Sequence, residues 1–307
     1  MNPALGIGLK VGSTLFFTMM MVCVKLVAGK VPPGEIVFFR SFFALFPIIA
    51  MLGWQREIVA ALRTSRPFLH FSRGTVGVTS MALGFIALGM IPLPEAMMIG
   101  YAAPLMIVVL AALVLGETVR LFRWSAVAVG FIGILVILWP KLTLLRTGSL
   151  TDIALVGSAV ALAAAFFSAF AAIYVRRMTQ SETIGSIVFY FAITASLLAL
   201  LTAPFGWVVP DLPTAALLVL TGLLGGVGQI LMTNAYRYAD TATVASFEYV
   251  SMLWGLAFGW LVFSEIPGTS VITGGAIVIG AGIFIIFRER RLGLERARQR
   301  RAMTPQG

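Results

Sequence analysis

The sequence predicts an all-α integral membrane protein of ten transmembrane helices. Three observations carry that prediction. Mean hydropathy is +1.00, with 60% of the 307 residues hydrophobic and 11% charged. A soluble domain is nearer about 45–50% apolar and about 25% charged. The apolar residues fall into ten blocks of membrane-crossing length, and the last five blocks echo the first five.

The blocks run over residues 5–28, 34–53, 67–89, 92–115, 121–139, 151–175, 184–204, 212–235, 241–264 and 268–287. About 20 residues at ~1.5 Å each cross a hydrocarbon core of ~30 Å. The connections are short and carry Pro, Gly or charge: VPPGE, IPLPE, PDLPT and EIPGT. The connection from Met90 to Pro94 is so tight that spans three and four form an antiparallel hairpin. The first block is longer than a signal-peptide core and opens a series of spans, so it reads as retained. No hydrophilic stretch is long enough to fold as a separate soluble domain, and the single cysteine, Cys23, excludes an intrachain disulfide.

Lys and Arg set the orientation. With the amino terminus in the cytoplasm, the cytoplasmic connections and the tail hold fifteen of the 22 basic residues. The outer connections hold Lys25, Lys30, Lys141 and Arg146. Lys10, Arg40 and Arg73 make up the remainder, Arg73 near the cytoplasmic end of span three, where snorkelling to the membrane face is the cheaper use. Both termini are therefore expected inside. Half of the net charge of +10 sits in the tail RERRLGLERARQRR, a contact for anionic lipid and not for nucleic acid.

The echo is a repeat with a nearly constant offset. A shift of 148 lays Gly74 on Gly222, Gly77 on Gly225, Tyr101 on Tyr249, Leu105 on Leu253 and Glu117 on Glu265. A shift of 151 lays Gly34 on Gly185. Five spans is an odd number, so the second copy enters the membrane upside down relative to the first. Inverted repeats build secondary transporters with the substrate near the midplane. The expected units are residues 1–140 and 141–287, followed by a basic cytoplasmic tail, 288–307.

Span nine, TATVASFEYVSMLWGLAFGWLVFSE, contains an acid near its middle, Glu248. A carboxylate at that depth costs at least ~2.5 kcal/mol and needs a partner, a proton or a wet cavity. Glu248 lies ~6 Å from the helix midpoint, on the cytoplasmic side. Its repeat counterpart is Gly100, so the scaffold alone does not demand an acid there. Carrying a coupling proton, binding substrate and a purely structural role are all open to it. Arg40 in span two is placed to bind a substrate carboxylate or phosphate, or else to snorkel. Tyr101, Tyr249 and Trp254 offer flat faces for stacking. Gln229 and Asn234 in span eight carry amides that need partners in lipid, and both are cavity candidates. Gly222 with Gly226, and Gly255 with Gly259, are spaced for close helix packing. Glu95 caps span four or gates its outer mouth. Glu117 and Glu265 close spans four and nine at opposite faces, as structural or gating groups. Pro104 removes a backbone hydrogen bond and marks a hinge.

Spans four and nine resemble the drug/metabolite transporter superfamily, EamA type. The resemblance lies in Phe247, Tyr249, Leu253, Trp254, Phe258, Gly259, Trp260, Phe263 and Glu265, in the matching run from Pro94 to Glu117, and in Arg40 within FFRSFFALFP. It covers residues 5–287 and implies ten helices, two inverted five-helix repeats, a central cavity and alternating access. Relatives of this type move amino acids, S-adenosylmethionine, riboflavin and drugs, some inward and some outward. The similarity leans to uptake of a riboflavin-like vitamin or an S-adenosylmethionine-like nucleoside. An amino-acid or drug exporter of the same fold and a non-transporting accessory membrane protein are the alternatives. The expected partners are a small-molecule substrate and membrane lipid, and a homodimer is compatible with the sequence. No HExxH, GxSxG or GxxxxGK[ST] occurs, so no cofactor, metal or bound ATP is expected, and the chain does not read as an enzyme.

Overall fold

In a hydrocarbon solvent each backbone N–H and C=O needs a partner within the protein, and a run of apolar residues meets that need by forming a helix. The computed structural model of this chain is built that way. It describes residues 3–116, 119–147, 152–179, 181–239 and 241–303. Span one is α1 (Pro3–Val27) and span two α2 (Pro33–Trp54); a short α3 (Ile58–Leu62) precedes span three, α4 (Pro67–Met90). Span four is two helices, α5 (Leu93–Gly100) and α6 (Ala102–Leu115). Spans five to eight are α7 (Leu121–Thr147), α8 (Asp152–Met178), α9 (Ile184–Leu200) and α10 (Leu212–Tyr238). Span nine is again divided, into α11 (Thr241–Ser246), a 3-10 turn at Phe247–Val250 and α12 (Ser251–Phe263); span ten is α13 (Thr269–Met303). Nine of these spans are long and apolar enough to cross a membrane, and α9 is a shorter apolar helix that continues into a 3-10 turn at Ala203–Phe205. Among the described residues there is no strand, only an isolated bridge between Ala28 and Val31.

Local chemistry sets the ends. Pro33, Pro67 and Pro94 sit in first turns, where no N–H is needed. Thr183 and Asp211 accept hydrogen bonds from Ser186 N at 3.1 Å and Thr214 N at 3.3 Å, capping α9 and α10. Gly116 closes α6 at φ +64°, a left-handed conformation that favours glycine. Two boundaries differ from the expected ones. Lys141 was placed in a connection, but α7 runs on past it to Thr147. The basic tail continues α13 as far as Met303, because Leu, Glu, Arg, Ala and Gln are all good helix formers.

Helix pairing follows the repeat. Span one packs along span eight, and span six packs along span three; two lies against seven, and five against ten. Moving five spans along the chain turns the first pair into the second and maps the other two pairs onto themselves. Glycines allow the close approaches. A Cβ on Gly222 would stand 2.8 Å from the Phe39 carbonyl, and one on Gly226 would stand 3.0 Å from the Ala44 carbonyl, so α10 seats directly on α2. Gly259 instead meets the ring of Pro94 across α12 and α5, where a Cβ would stand 2.7 Å from Pro94 Cγ. At the five–ten contact the backbones themselves touch, since a Cβ on Gly133 would lie 2.8 Å from the Gly274 carbonyl.

The Gly274 carbonyl is a backbone group that cannot rotate away. Gly133→Ala should therefore destabilise the protein by about 1–3 kcal/mol, the usual cost of overpacking. The check is the thermal unfolding midpoint of the purified protein beside that of Gly280→Ala, where an added Cβ meets open space.

Candidate functional site

Both interrupted spans break at the same register of the repeat. In span four Pro104 has no N–H, so the Gly100 carbonyl loses its helical partner, and α5 gives way to α6 at Tyr101. In span nine the break is the 3-10 turn that holds Glu248 and Tyr249. The counterparts Tyr101 and Tyr249 meet across the two breaks, with ring centroids 5.2 Å apart and planes at 51°. Tyr101 Oη lies 2.6 Å from Ser251 Oγ, which itself donates to the Glu248 carbonyl at 2.6 Å. A serine has one proton to give, so Tyr101 is the donor in the first bond.

The Glu248 carboxylate is held by Lys10 of α1. The Lys10 side chain is 1% exposed, whereas that of Glu248 is 48% exposed. The ion pair thus has a sealed cation and an acid that is open on one side. Lys10 and Glu248 both stand about seven residues in from the start of a span that enters from the same end of the bundle, which is why their heads meet. Matching those depths in the sequence would have found the pair. Beyond the break, Gly100 lines an apolar cavity of about 230 Å³, bounded by α1, α4, α5 and α8 and holding Met21, Ser80, Phe85 and Ser168 on its wall.

A second polar cluster lies between α2, α4, α9 and α10. Arg40 and Arg73 face the ring of Phe191, with guanidinium carbons 6.0 Å and 3.7 Å from its centroid. Gln229 and Gly225 complete a cavity of about 50 Å³ beside them. Arg73 does not snorkel as expected. Gly77, one turn further along α4, leaves room for it to turn inward, and the Phe191 ring offers a π face to its charge. Arg40 and Glu248 occupy separate clusters. Asn234 turns back on its own helix and donates to the Ile230 carbonyl at 3.0 Å. Trp254 has its indole N–H sealed from solvent with no acceptor.

The remaining acids tie the ends of the bundle together. Glu265 pairs with Lys25 at 2.9 Å and accepts from Leu93 N at 2.8 Å, capping α5 from another span. Lys25 also donates to the carbonyls of Leu88 and Ile91, at 3.1 and 2.7 Å. Glu95 is buried and pairs with Lys141, while Ser158 lies 3.2 Å from it. It is thus an ion-pair partner as well as a first-turn acid. Glu117 lies outside the described residues. At the opposite end Glu182 accepts from Thr64 Oγ1 at 3.0 Å and from Ser65 N at 3.2 Å, with His70 Nε2 3.5 Å away.

The two halves each match the same family model. The EamA-like transporter family matches residues 4–139 and again 155–288. The chain belongs to the EamA-like transporter family. It is accordingly a multi-pass membrane transporter with a small-molecule substrate. It is 31% identical over 280 residues to the pseudopaline exporter CntI of Pseudomonas aeruginosa (strain UCBPP-PA14), covering 91% of this chain and 94% of that protein. It is 30% identical to the S-adenosylmethionine uptake transporter of Rickettsia prowazekii, covering 87% of each. It is also 30% identical to the riboflavin transporter of Rhizobium johnstonii, covering 85% of this chain and 83% of that one. A crystal structure of a protein 19% identical shares the fold, with a TM-score of 0.63 over 91% of this chain and 96% of that one.

Glu182 generates a pH prediction. Partial burial pushes its pKa up, but the hydrogen bonds from Thr64 and Ser65 and the nearby His70 outweigh this and hold it below the ordinary carboxylate value. A depressed carboxylate contributes stability above its unfolded pKa and loses it as the pH falls through the folded one. The unfolding midpoint should therefore drop on acidification from the ordinary carboxylate range downward, and Glu182→Gln should flatten that limb. A variant with the native acid limb would contradict the assignment.

Proposed function

We propose that this protein is a gradient-driven transporter of a bacterial inner membrane that carries a small polar or amphipathic metabolite. Its two five-helix halves, residues 1–140 and 141–287, lie oppositely inserted, with both termini in the cytoplasm. The observation that carries this reading is the Lys10–Glu248 pair at the point where two interrupted spans face each other. Discontinuous helices expose backbone dipoles at mid-membrane and are tolerated only where they line a cavity. A half-open acid held by a sealed lysine is suited to exchanging a proton or a substrate donor for its lysine. The Tyr101–Ser251 hydrogen bond ties that exchange to the break in span four.

Under this orientation the Lys25–Glu265 and Glu95–Lys141 pairs close the outer end. They would have to part when the cavity opens outward. Among substrates the relatives support uptake of an S-adenosylmethionine-like nucleoside or a riboflavin-like vitamin. Export of an amino-acid-like metabolite is the second reading, favoured by the similarity to the pseudopaline exporter.

Counterflow of labelled S-adenosylmethionine, riboflavin and amino acids into proteoliposomes tests the function. Glu248→Gln should leave the protein folded but less stable, lower flux at least tenfold and remove its pH dependence. Native flux with a native pH profile in that variant would remove Glu248 from the mechanism. Growth of an auxotroph at low external vitamin separates the directions, since only uptake rescues it.

A further inference from the structure

We propose that the cavity between α2, α4, α9 and α10 is an anion subsite. The transported molecule would then carry a carboxylate or phosphate that docks between Arg40 and Arg73. This inference rests on the transport function proposed above and names the substrate class. Nε of Arg40, and Nε and Nη1 of Arg73, are sealed from solvent and have no hydrogen-bond acceptor. Both guanidinium groups face the same ring, Phe191, and no acid among the described residues neutralises either.

The described carboxylates are engaged elsewhere. Glu248 holds Lys10, Glu265 holds Lys25 and Glu95 holds Lys141. Glu182 is bound by Thr64 and Ser65, Glu35 accepts from Val208 N at 3.1 Å, Asp211 caps α10, and Glu57 lies 3.7 Å from Arg237. Two like charges brought together without a counter-ion inside a membrane protein repel each other and lack solvation. Such a pair is kept where a bound anion neutralises it, and the planar fork of arginine matches a carboxylate or phosphate.

The walls leave room for that anion. A Cβ on Gly225 would stand 3.3 Å from Arg40 Nε, and one on Gly77 would stand 3.4 Å from Arg73 Nη1. Glycine at both positions keeps the space beside the guanidinium groups open. The cavity of about 50 Å³ exceeds the roughly 10–15 Å³ that a single water requires, which leaves room for a small polar group. The Gln229 amide adds a neutral donor on the α10 wall. The apolar cavity of about 230 Å³ borders α4 further along, at Ser80, Met81 and Gly84.

The test is thermal stabilisation of the full-length purified protein, followed by flux. Acetate and inorganic phosphate are titrated at constant ionic strength. S-adenosylmethionine is compared with its decarboxylated form, and riboflavin 5′-phosphate with riboflavin. At least one anionic probe should raise the unfolding midpoint saturably, and Arg40→Gln and Arg73→Gln should each lose that rise. Arg73→Lys, which keeps the charge but loses the fork, should bind at least tenfold more weakly. Without probe, both Gln variants should unfold at or above the native midpoint, which residues serving only as structural supports would not do. No saturable rise with any anion, or an equal rise in both Gln variants, overturns the subsite. Flux of a neutral compound that survives both substitutions overturns it too, and leaves the transport function standing. Anion stabilisation lost in both variants, with no flux of any compound, keeps the subsite and removes the transport function.

Discussion

The structure depends on one constraint, that a charge inside the hydrocarbon layer has to find a counter-charge, whether from the protein or from a molecule it binds. Lys10 meets Glu248, and the place where they meet is where the helical ladder is interrupted on both spans four and nine. The freed backbone groups at that depth are met by neighbouring side chains and 3-10 hydrogen bonds. Ser251 bonding to the Glu248 carbonyl is one such repair. The ion pair, the broken helices and the tyrosine contact are therefore one assembly that any movement of spans four and nine must rearrange.

The ends of the bundle obey the same constraint differently. Lys25 gathers Glu265 together with the carbonyls of Leu88 and Ile91, so a single ammonium holds spans one, three and nine and the turn after span three. The Glu265 carboxylate also caps the first turn of span four. Glu95, Lys141 and Ser158 join spans four, five and six. These contacts are charge-assisted and partly buried, strong enough to hold one arrangement and able to part when the charges are rehydrated. Their concentration at one end gives that end a closed character, while the apolar cavity and the half-open Glu248 lie deeper.

Much of this architecture was legible in the sequence. Span positions follow from hydropathy, and Pro104 marked the break in span four. The repeat offset brought Tyr101 and Tyr249 into correspondence, and the structure puts their rings in contact. The small-residue pair in span eight, Gly222 with Gly226, is where that helix meets the backbone of span two. The pairing of charges was harder to see. Glu248 stands out in the sequence as an acid in need of a partner, whereas nothing in the sequence short of matching depths singles out Lys10 from the other basic residues. The sequence points Arg73 to the membrane face because depth along a helix is readable from sequence and direction around it is not. The absence of a side chain at Gly77, which lets that arginine turn inward, becomes informative only with Phe191 opposite. Asn234 looked like a cavity group because a polar residue in a span invites that use, yet its own helix supplies the acceptor.

The most direct test of the central claim is a double-mutant cycle on Lys10→Met and Glu248→Gln, read as unfolding free energy in detergent. If the two charges satisfy each other at the helix break, each single substitution destabilises the protein. The double variant is then less damaged than the sum, with a coupling of at least about 1 kcal/mol. Strictly additive effects would mean that Lys10 and Glu248 are satisfied independently, and the account of the broken spans would fail with them.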